Sequence, residues 1–239
     1  MAETMVRMDG VRFRWCADRP LVLDIPAFTV ARGERIFVRG PSGSGKTTLL
    51  NLLGGVAVAE SGIIAIRGDD LASLTGAARD SFRADHVGFI FQMFNLIPYL
   101  SLVDNVILPC QFSAARRRRI AERGGAVEDE ARRILSHLEL DLDALASRPV
   151  AELSMGQQQR VAAARALIGA PELVIADEPT SALDADTRGA FLDLLFREVA
   201  DAGATLIFVS HDAALESAFD RSVALADINR AGRAGQSEG

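Results

Sequence analysis

The feature of this sequence that most constrains its fold is the eight-residue run Gly40-Pro41-Ser42-Gly43-Ser44-Gly45-Lys46-Thr47. It fits G-x-x-x-x-G-K-[ST], the phosphate-binding loop, at every constrained position. The apolar run 36–38 before it predicts a buried strand, and the apolar run after it predicts a helix. In that context the backbone N–H groups of the loop and the positive end of the helix dipole bind phosphate. The run therefore predicts a nucleoside triphosphate site.

The lysine and the threonine of this phosphate loop are expected to have separate roles. Lys46 would reach the β- and γ-phosphates, and the Thr47 hydroxyl would bind Mg²⁺. We count the next residue, Thr48, among the nucleotide-binding residues together with the whole loop. The alternative is a Gly/Ser-rich turn that fits the motif by chance, but the predicted strand and helix on either side favour the functional interpretation.

Composition limits the classes of function that remain. The chain has 239 residues, 49% of them hydrophobic and 24% charged, which is enough for a full globular core. The net charge of −6 gives no support to nucleic acid as a partner. Cys16 and Cys110 lie far apart without metal-ligand spacing, so we expect free thiols in a reducing compartment. No run approaches the about 18 apolar residues of a membrane span, and no secretory signal is visible, so a membrane role would need another chain.

Hydrophobic periodicity predicts an α/β fold with two kinds of sheet. Alternation over 6–13 and 21–30 indicates antiparallel strands with one buried face. Short apolar runs at 87–91, 173–176 and 205–209 alternate with helical patterns and indicate a mostly parallel sheet covered on both faces.

The domain organisation follows from where these patterns change. Strand-like runs disappear over residues 95–165, which we interpret as a helical subdomain inserted into the nucleotide-binding fold. The core would comprise 1–94, with the antiparallel β-subdomain, and 166–228, so that 1–228 form one domain. The Gly- and Ser-containing tail, 229–239, is predicted to be disordered.

A run of four arginines, Arg116-Arg117-Arg118-Arg119, lies within the predicted helical subdomain. Its simplest interpretation is a solvated helix face. Contact with acidic lipid headgroups at a membrane surface is the alternative.

Polar side chains follow three of the predicted parallel strands. Asp177 ends one of them and is expected to hold Mg²⁺, and the adjacent Glu178 would act as general base on the attacking water. Gln92 and His211 follow two others. By themselves, a single glutamine and a single histidine at strand ends are more often structural than catalytic.

The segment Leu153-Ser154-Met155-Gly156-Gln157 and the residues up to Leu167 resemble the signature sequence of ATP-binding cassette (ABC) ATPases. The other motifs then stand in the family's order, over nearly the whole chain from about Val6 to Leu225. The resemblance implies that Gln92 is the Q-loop glutamine, contacting nucleotide and Mg²⁺, and that His211 is the switch histidine. It also implies a catalytic role for Gln92, His211 and Lys46 beside Glu178, and a D-loop at 181–184.

In this family two chains assemble head to tail and enclose two ATP molecules between phosphate loop and signature. The resemblance therefore implies that Ser154, Gly156, Gln157 and the D-loop residue Asp184 contact nucleotide. It also implies an aromatic residue stacked on the base, for which Trp15 matches best and Phe13 is the alternative. Met155 departs from the glycine that is most common at its position in the family.

The region from Phe91 to Val106 resembles the lipoprotein-release and macrolide-export group of the family (LolD/MacB type). Such ATPases drive a separate membrane permease with a large extracytoplasmic domain, from the cytoplasmic face of the inner membrane. The apolar patch Phe94, Leu96, Ile97 and Tyr99 is then the expected docking surface for that permease. Local core packing of the helical subdomain is the alternative.

Two other functions remain to be compared with transport. A regulatory ABC ATPase could control periplasmic cell-wall hydrolysis during division through a similar membrane partner, and the sequence separates this poorly from export. An ABC ATPase acting on DNA or ribosomes is disfavoured, because those relatives carry long coiled coils or two cassettes. A plain P-loop kinase is excluded by the signature and the D-loop together.

Overall fold

The computed structural model of the chain describes residues 3–145, 148–181 and 183–231. In chain order, the strands and helices are β1 (Thr4–Phe13), β2 (Leu23–Ala31), β3 (Arg35–Arg39), α1 (Lys46–Leu53), β4 (Ser61–Ile66), β5 (Asp69–Asp70), α2 (Gly76–His86), β6 (Val87–Ile90), α3 (Leu102–Phe112), α4 (Ala114–Glu122), α5 (Val127–His137), α6 (Leu142–Leu145), α7 (Met155–Leu167), β7 (Leu173–Asp177), α8 (Ala185–Ala202), β8 (Thr205–Ser210), β9 (Arg221–Ala224) and α9 (Leu225–Ile228).

The described chain divides into two compact units. The first contains residues up to 83 and those from 205 onward, and the second contains 84–204. The second unit therefore includes β6, β7 and α8 in addition to the helices of the predicted helical subdomain. The parallel strands predicted from the sequence are distributed over both units.

The antiparallel sheet of the first unit has the strand order β2-β1-β4-β5. In β1, Val6, Met8, Val11 and Phe13 are buried, while most of the residues between them are exposed. Successive side chains of a strand point to opposite faces, so this alternation gives the sheet one apolar face. The prediction of antiparallel strands in this region is confirmed.

The first unit also contains three parallel strands, in the order β8-β3-β9. Phe37 of β3 lies with its ring centroid 6.0 Å from that of Phe208 in β8 and 5.2 Å from that of Phe219. These buried rings pack against one another, and in the register of β3 with β8 Arg39 pairs with Ser210. The chain therefore leaves β3 and β8 at neighbouring points on the same edge.

The second unit pairs β6 with β7 in parallel and packs α7 against β6. α7 approaches β6 closely at Gly88, where an added Cβ would lie 2.2 Å from the carbonyl oxygen of Ala166. Only glycine allows this approach of helix to strand.

The arginine run lies in α4, and the expectation of a solvated face is wrong for Arg116. This side chain is only 2% exposed. Its guanidinium donates to four carbonyl oxygens at 2.6–3.3 Å, those of Ala84, Val87, Ala166 and Ile168.

The other arginines of the run differ from Arg116 and from one another. Arg119 is half-buried, and its Nε donates to the carbonyl of Gly169 at 2.7 Å. Arg118 is exposed and lies 3.8 Å from Glu122. The solvated-face interpretation fits Arg118, whereas Arg116 and Arg119 bind backbone carbonyls inside the second unit.

The chain beyond α9 is described as far as residue 231, so most of the predicted disordered tail, 229–239, lies outside the described residues. Asn229 is tied to β2, because its Oδ1 accepts from the Asp24 amide at 2.8 Å and its Nδ2 donates to the Val22 carbonyl at 3.0 Å. Within the described part of the chain, the helices are all too short or too polar to cross a bilayer.

Candidate functional site

The phosphate loop joins β3 to α1, as the motif requires. Gly43 and Gly45 have φ of +78° and +100°, in the left-handed region that glycine adopts without steric cost. Gly45 is also the residue that precedes the first turn of α1. The Lys46 ammonium is buried and donates to the carbonyls of Gly40 and Pro41 at 2.7 and 3.0 Å. These two contacts hold the lysine against its own loop.

His211 lies at the neighbouring strand end in the first unit. Because Arg39 of β3 is in register with Ser210 of β8, Gly40 and His211 leave adjacent parallel strands at the same level. The His211 side chain is exposed. The structure therefore brings together two of the predicted site elements, the phosphate loop and the switch histidine.

Trp15 lies on the loop between β1 and β2, and 58% of its surface is exposed. Its ring meets Phe13 edge to face, with centroids 4.9 Å apart, while Phe13 itself is buried in the core. The far end of this loop, Val22, packs near Gly45, since a Cβ added at Gly45 would lie 3.3 Å from a Val22 methyl. Of the two candidate aromatic residues, Trp15 is the accessible one, and its loop borders the phosphate loop.

In the second unit, the acidic pair and the glutamine also lie at adjacent strand ends. Ile90 of β6 is paired with Ala176 of β7. Gln92 comes two residues after Ile90 and Glu178 two residues after Ala176, so the two lie at the same level beyond their strands. Gln92 is exposed, whereas Asp177 and Glu178 are half-buried. The carboxyl ends of parallel strands are where α/β proteins place their ligands.

Glu178 has a backbone φ of +44°, which is unusual for a residue with a side chain. A left-handed non-glycine residue costs roughly 1 kcal/mol or more and persists only where the surroundings impose it. The chain therefore turns sharply directly after β7, at the residue that is predicted to be the general base.

The signature segment opens α7. The sequence predicts that Ser154 and Gly156 both lie just ahead of this helix. Ser154 does precede it, but Met155 and Gly156 already belong to its first turn, so the helix begins two residues earlier than expected. Ser154 and Gln157 form a capping box: the Gln157 amide donates to Ser154 Oγ at 3.3 Å, and the Ser154 amide donates to Gln157 Oε1 at 2.9 Å. This box fixes the direction in which the first-turn amides of α7 point.

Gly156 is not required by packing within the chain. A Cβ at this position would lie 3.8 Å from Thr187 and 4.0 Å from Leu183, which are ordinary van der Waals contacts. The Met155 side chain is exposed. A small residue at 156 would serve instead to let a ligand approach the backbone closely.

Asp184, a predicted nucleotide contact, caps α8 in the structure. Its carboxylate accepts from the Thr187 amide at 2.9 Å and from the Thr187 hydroxyl at 3.0 Å. The neighbouring D-loop residue Ala182 lies outside the described residues. The structure thus gives Asp184 a structural role beside its predicted one.

Residues 91–101, here called the Q-loop segment, carry the proposed apolar patch. Phe94 is only 4% exposed and belongs to the core, so its assignment to a surface patch is wrong. Leu96 and Ile97 are half-buried. The most exposed large hydrophobic side chains of the segment are Met93, at 81%, and Tyr99, at 78%.

Arg165 is a residue that the sequence did not single out. It lies in the last turn of α7 and its two terminal nitrogens donate to the carbonyls of Phe94 and Asn95. Burial lowers the pKa of Arg165. Its distance of 70 residues from Asn95 explains why no local pattern indicated it.

Known proteins resemble this chain over most of its length. A family model described as ABC transporter matches residues 23–181. The lipoprotein-releasing system ATP-binding protein LolD of Syntrophotalea carbinolica is 41% identical over 195 residues, which cover 82% of each chain. The macrolide export ATP-binding/permease protein MacB of Rhodopirellula baltica is 39% identical over 93% of this chain and 32% of its own length.

A solved structure gives the same result for the fold. The ATP-binding cassette MJ0796, as a dimer in a post-hydrolysis state bound to ADP and Pi, matches with a TM-score of 0.79 and 32% identity, over 92% of this chain and 94% of that one. The predicted fold class, with its antiparallel, parallel and helical parts, and the predicted resemblance are both confirmed.

Proposed function

The chain belongs to the ABC transporter family, and from that premise we propose that it is the ATPase subunit that drives a separate membrane permease. It would dimerise head to tail around two ATP molecules with Mg²⁺ and convert ATP hydrolysis into motion of the permease. The names of the relatives, a lipoprotein-releasing system and a macrolide exporter, support export or lipoprotein release as the process that is driven.

The residues of the first unit are assigned to nucleotide binding. The phosphate loop would bind the phosphates through its amides, and the Lys46 ammonium would exchange its contacts with Gly40 and Pro41 for the β- and γ-phosphate oxygens. Trp15 would stack on the base, supported by its exposure and by the contact of its loop with Gly45.

The metal and the attacking water are assigned to residues that follow β6, β7 and β8 and to Thr47 of the phosphate loop. Thr47, Asp177 and Gln92 offer a hydroxyl, a carboxylate and an amide oxygen, and such oxygen donors suit Mg²⁺. When bound, Mg²⁺ would neutralise charge on the phosphate oxygens. The Glu178 carboxylate would accept a proton from the attacking water, and His211 would contact the γ-phosphate side of the site.

The observation that carries the dimer proposal is the N-terminus of α7. Its first turn is fixed by the capping box of Ser154 and Gln157. Gly156 leaves the backbone of this turn accessible, although packing within the chain does not require a glycine there. A helix N-terminus with a small residue binds anions well. Since the phosphate loop already provides one such site, a second one fits the γ-phosphate held by another copy of the chain.

The permease would dock on the Q-loop segment. Met93 and Tyr99 are exposed large side chains there, with Leu96 and Ile97 half-buried between them. We take these side chains as the candidate contacts, because contiguous exposed apolar surface typically marks an interaction site. With such a partner the chain would lie peripherally on the cytoplasmic face of the inner membrane.

Glu178→Gln tests the site and the dimer together. The variant should bind ATP but hydrolyse it very slowly, because the proton acceptor is lost, and it should therefore accumulate as a dimer in size-exclusion chromatography with ATP and Mg²⁺. Glu152→Gln, at an exposed position just before the signature, is the matched control and should hydrolyse ATP like the wild type. A Glu178→Gln chain that remains monomeric at saturating ATP would contradict the head-to-tail dimer.

Recovery of the partner tests the transport assignment. Tagged Glu178→Gln is purified with ATP from detergent-solubilised native membranes, and the proteins that co-purify with it are identified by mass spectrometry. A permease with a large extracytoplasmic domain is expected, and the character of that domain would separate export from lipoprotein release or cell-wall control. Co-purification of ribosomal or DNA-associated proteins without a membrane subunit would refute the transport assignment, but it would not affect the ATPase assignment.

A further inference from the structure

The Q-loop segment has a backbone conformation that needs external support. Phe94 and Asn95 are consecutive non-glycine residues in the left-handed region, with φ of +58° and +50°. This conformation is unfavourable for residues with a side chain, although asparagine tolerates it better than most, so two in succession persist only where other parts of the protein hold them. The segment has no helix or strand between the end of β6 and the start of α3 that could do so.

Arg165 supplies that support from α7. Its Nη1 donates to the Asn95 carbonyl at 2.6 Å and its Nη2 to the Phe94 carbonyl at 2.5 Å. The two nitrogens of a planar guanidinium are spaced to bind two neighbouring acceptors at once, which a lysine ammonium does less well. The two carbonyls that Arg165 binds are those of the two left-handed residues.

The other half of the segment is bonded to the chain just before the signature. The Val150 amide donates to the Leu100 carbonyl at 3.0 Å, and the Ala151 amide donates to the Pro98 carbonyl at 3.3 Å. Residues 150 and 151 precede Ser154 by only a few positions. The Q-loop segment is therefore hydrogen-bonded to both sides of the signature, through Arg165 behind it and through 150–151 ahead of it.

We propose that Arg165 is a positioning residue that couples the Q-loop segment to the signature helix. Arg165 holds Phe94 and Asn95 against the last turn of α7. When the segment moves, α7 therefore moves with it, and the first turn of α7 contains Gly156. The same contact fixes the chain two residues after Gln92. This inference rests on the proposed function, because the segment is the proposed docking surface and the signature the proposed ATP contact of the second copy.

The test compares two arginines of α7. Arg165→Lys keeps the charge but loses the planar fork. Arg160→Lys is the matched control, because Arg160 also donates to two carbonyls, at 3.2 and 3.3 Å, but those belong to Leu138 and Glu139 outside the Q-loop segment. Both substitutions are made in the wild type and in Glu178→Gln, and amide hydrogen exchange is followed by mass spectrometry.

In the absence of nucleotide, Arg165→Lys should raise the exchange rate of amides in 93–99 on the order of tenfold, while Arg160→Lys leaves them unchanged. With ATP and Mg²⁺ in the Glu178→Gln chain, the start of α7 and the Q-loop segment should gain protection together. Arg165→Lys should keep the protection at the start of α7 and lose it in the segment. In steady-state kinetics it should lower kcat several-fold with little change in KM, since the phosphate loop is intact.

Unchanged exchange in 93–99 in Arg165→Lys would overturn the proposal. The proposal would also be overturned if the start of α7 and the Q-loop segment both kept their protection in Arg165→Lys, since the coupling would then not need the planar guanidinium. If Glu178→Gln neither slows hydrolysis nor dimerises, the proposed function fails, but the nucleotide-free comparison of Arg165→Lys with Arg160→Lys still decides whether Arg165 holds the segment.

Discussion

Replacing Arg116 with methionine removes a buried cation whose hydrogen bonds all end on backbone carbonyls. The guanidinium binds Ala166 and Ile168 near the end of α7, Val87 at the start of β6, and Ala84. Because carbonyls at a helix end carry partial negative charge, a cation there is favourable. Methionine has a similar length and is apolar, so it fills much of the space but donates no hydrogen bond.

The magnitude follows from two opposing contributions. Four hydrogen bonds from a charged donor, at about 1.5 kcal/mol each, contribute about 6 kcal/mol. Burial lowers the pKa of Arg116 from its ordinary value to about 10, and at about 1.4 kcal/mol per pKa unit this means that burying the charge costs about 3 kcal/mol. Methionine removes both contributions. We therefore expect Arg116→Met to lower the free energy of unfolding by about 3 kcal/mol.

The assay is thermal and urea unfolding followed by far-UV circular dichroism. A loss of about 3 kcal/mol corresponds to a fall of roughly 6–12 °C in melting temperature for a chain of this size. Arg118→Met is the matched control on the same helix, because Arg118 is exposed and paired only loosely with Glu122, and it should change stability by less than about 0.5 kcal/mol. Equal melting temperatures for the two variants would refute the reasoning.

Three further predictions concern other parts of the chain. Burial raises the pKa of the Cys110 thiol, and Cys16 is exposed, so iodoacetamide should modify Cys16 well before Cys110 in the native protein; equal labelling in peptide mass spectrometry would contradict this. Hydrogen bonding to Arg35 lowers the pKa of Asp220, so its stabilising contribution is present above the unfolded value of 3.8 and is lost as the pH falls below it. Asp220→Asn should cost roughly 0.5 kcal/mol at neutral pH, and a difference from wild type that grew in acid would argue against the pair. Both polar atoms of the Gln159 amide are buried without a hydrogen-bond partner among the described residues, so Gln159→Met should raise the melting temperature by about 2–4 °C, and a fall would show that the amide is satisfied.

The arginine run shows how far sequence reasoning reaches within one helix. Arg116, Arg119 and Ile120 stand at i, i+3 and i+4, so they share one face of α4, and Ile120 is buried with Arg116. The position of the isoleucine was a local signal that the run has an inward face. The sequence did not reveal that carbonyls from β6 and α7 lie opposite that face.

The Q-loop segment shows the same limit for a surface. Its apolar residues were recognised from their composition, but Phe94 is buried while Tyr99 is exposed, although both are aromatic. Alternation cannot separate them, because the segment is neither helix nor strand and has no fixed period. Its conformation depends on Arg165, which is distant in the chain.

The phosphate loop and the acidic pair after β7 were determined by the sequence alone. In each of them the chemistry is contained in a few consecutive residues, and local geometry follows from local identity. Tertiary structure alone decided which arginines are buried, where Phe94 lies and that Gly156 is free of packing constraints. These properties depend on contacts between residues far apart in the chain, whose partners are set only when strands and helices pack.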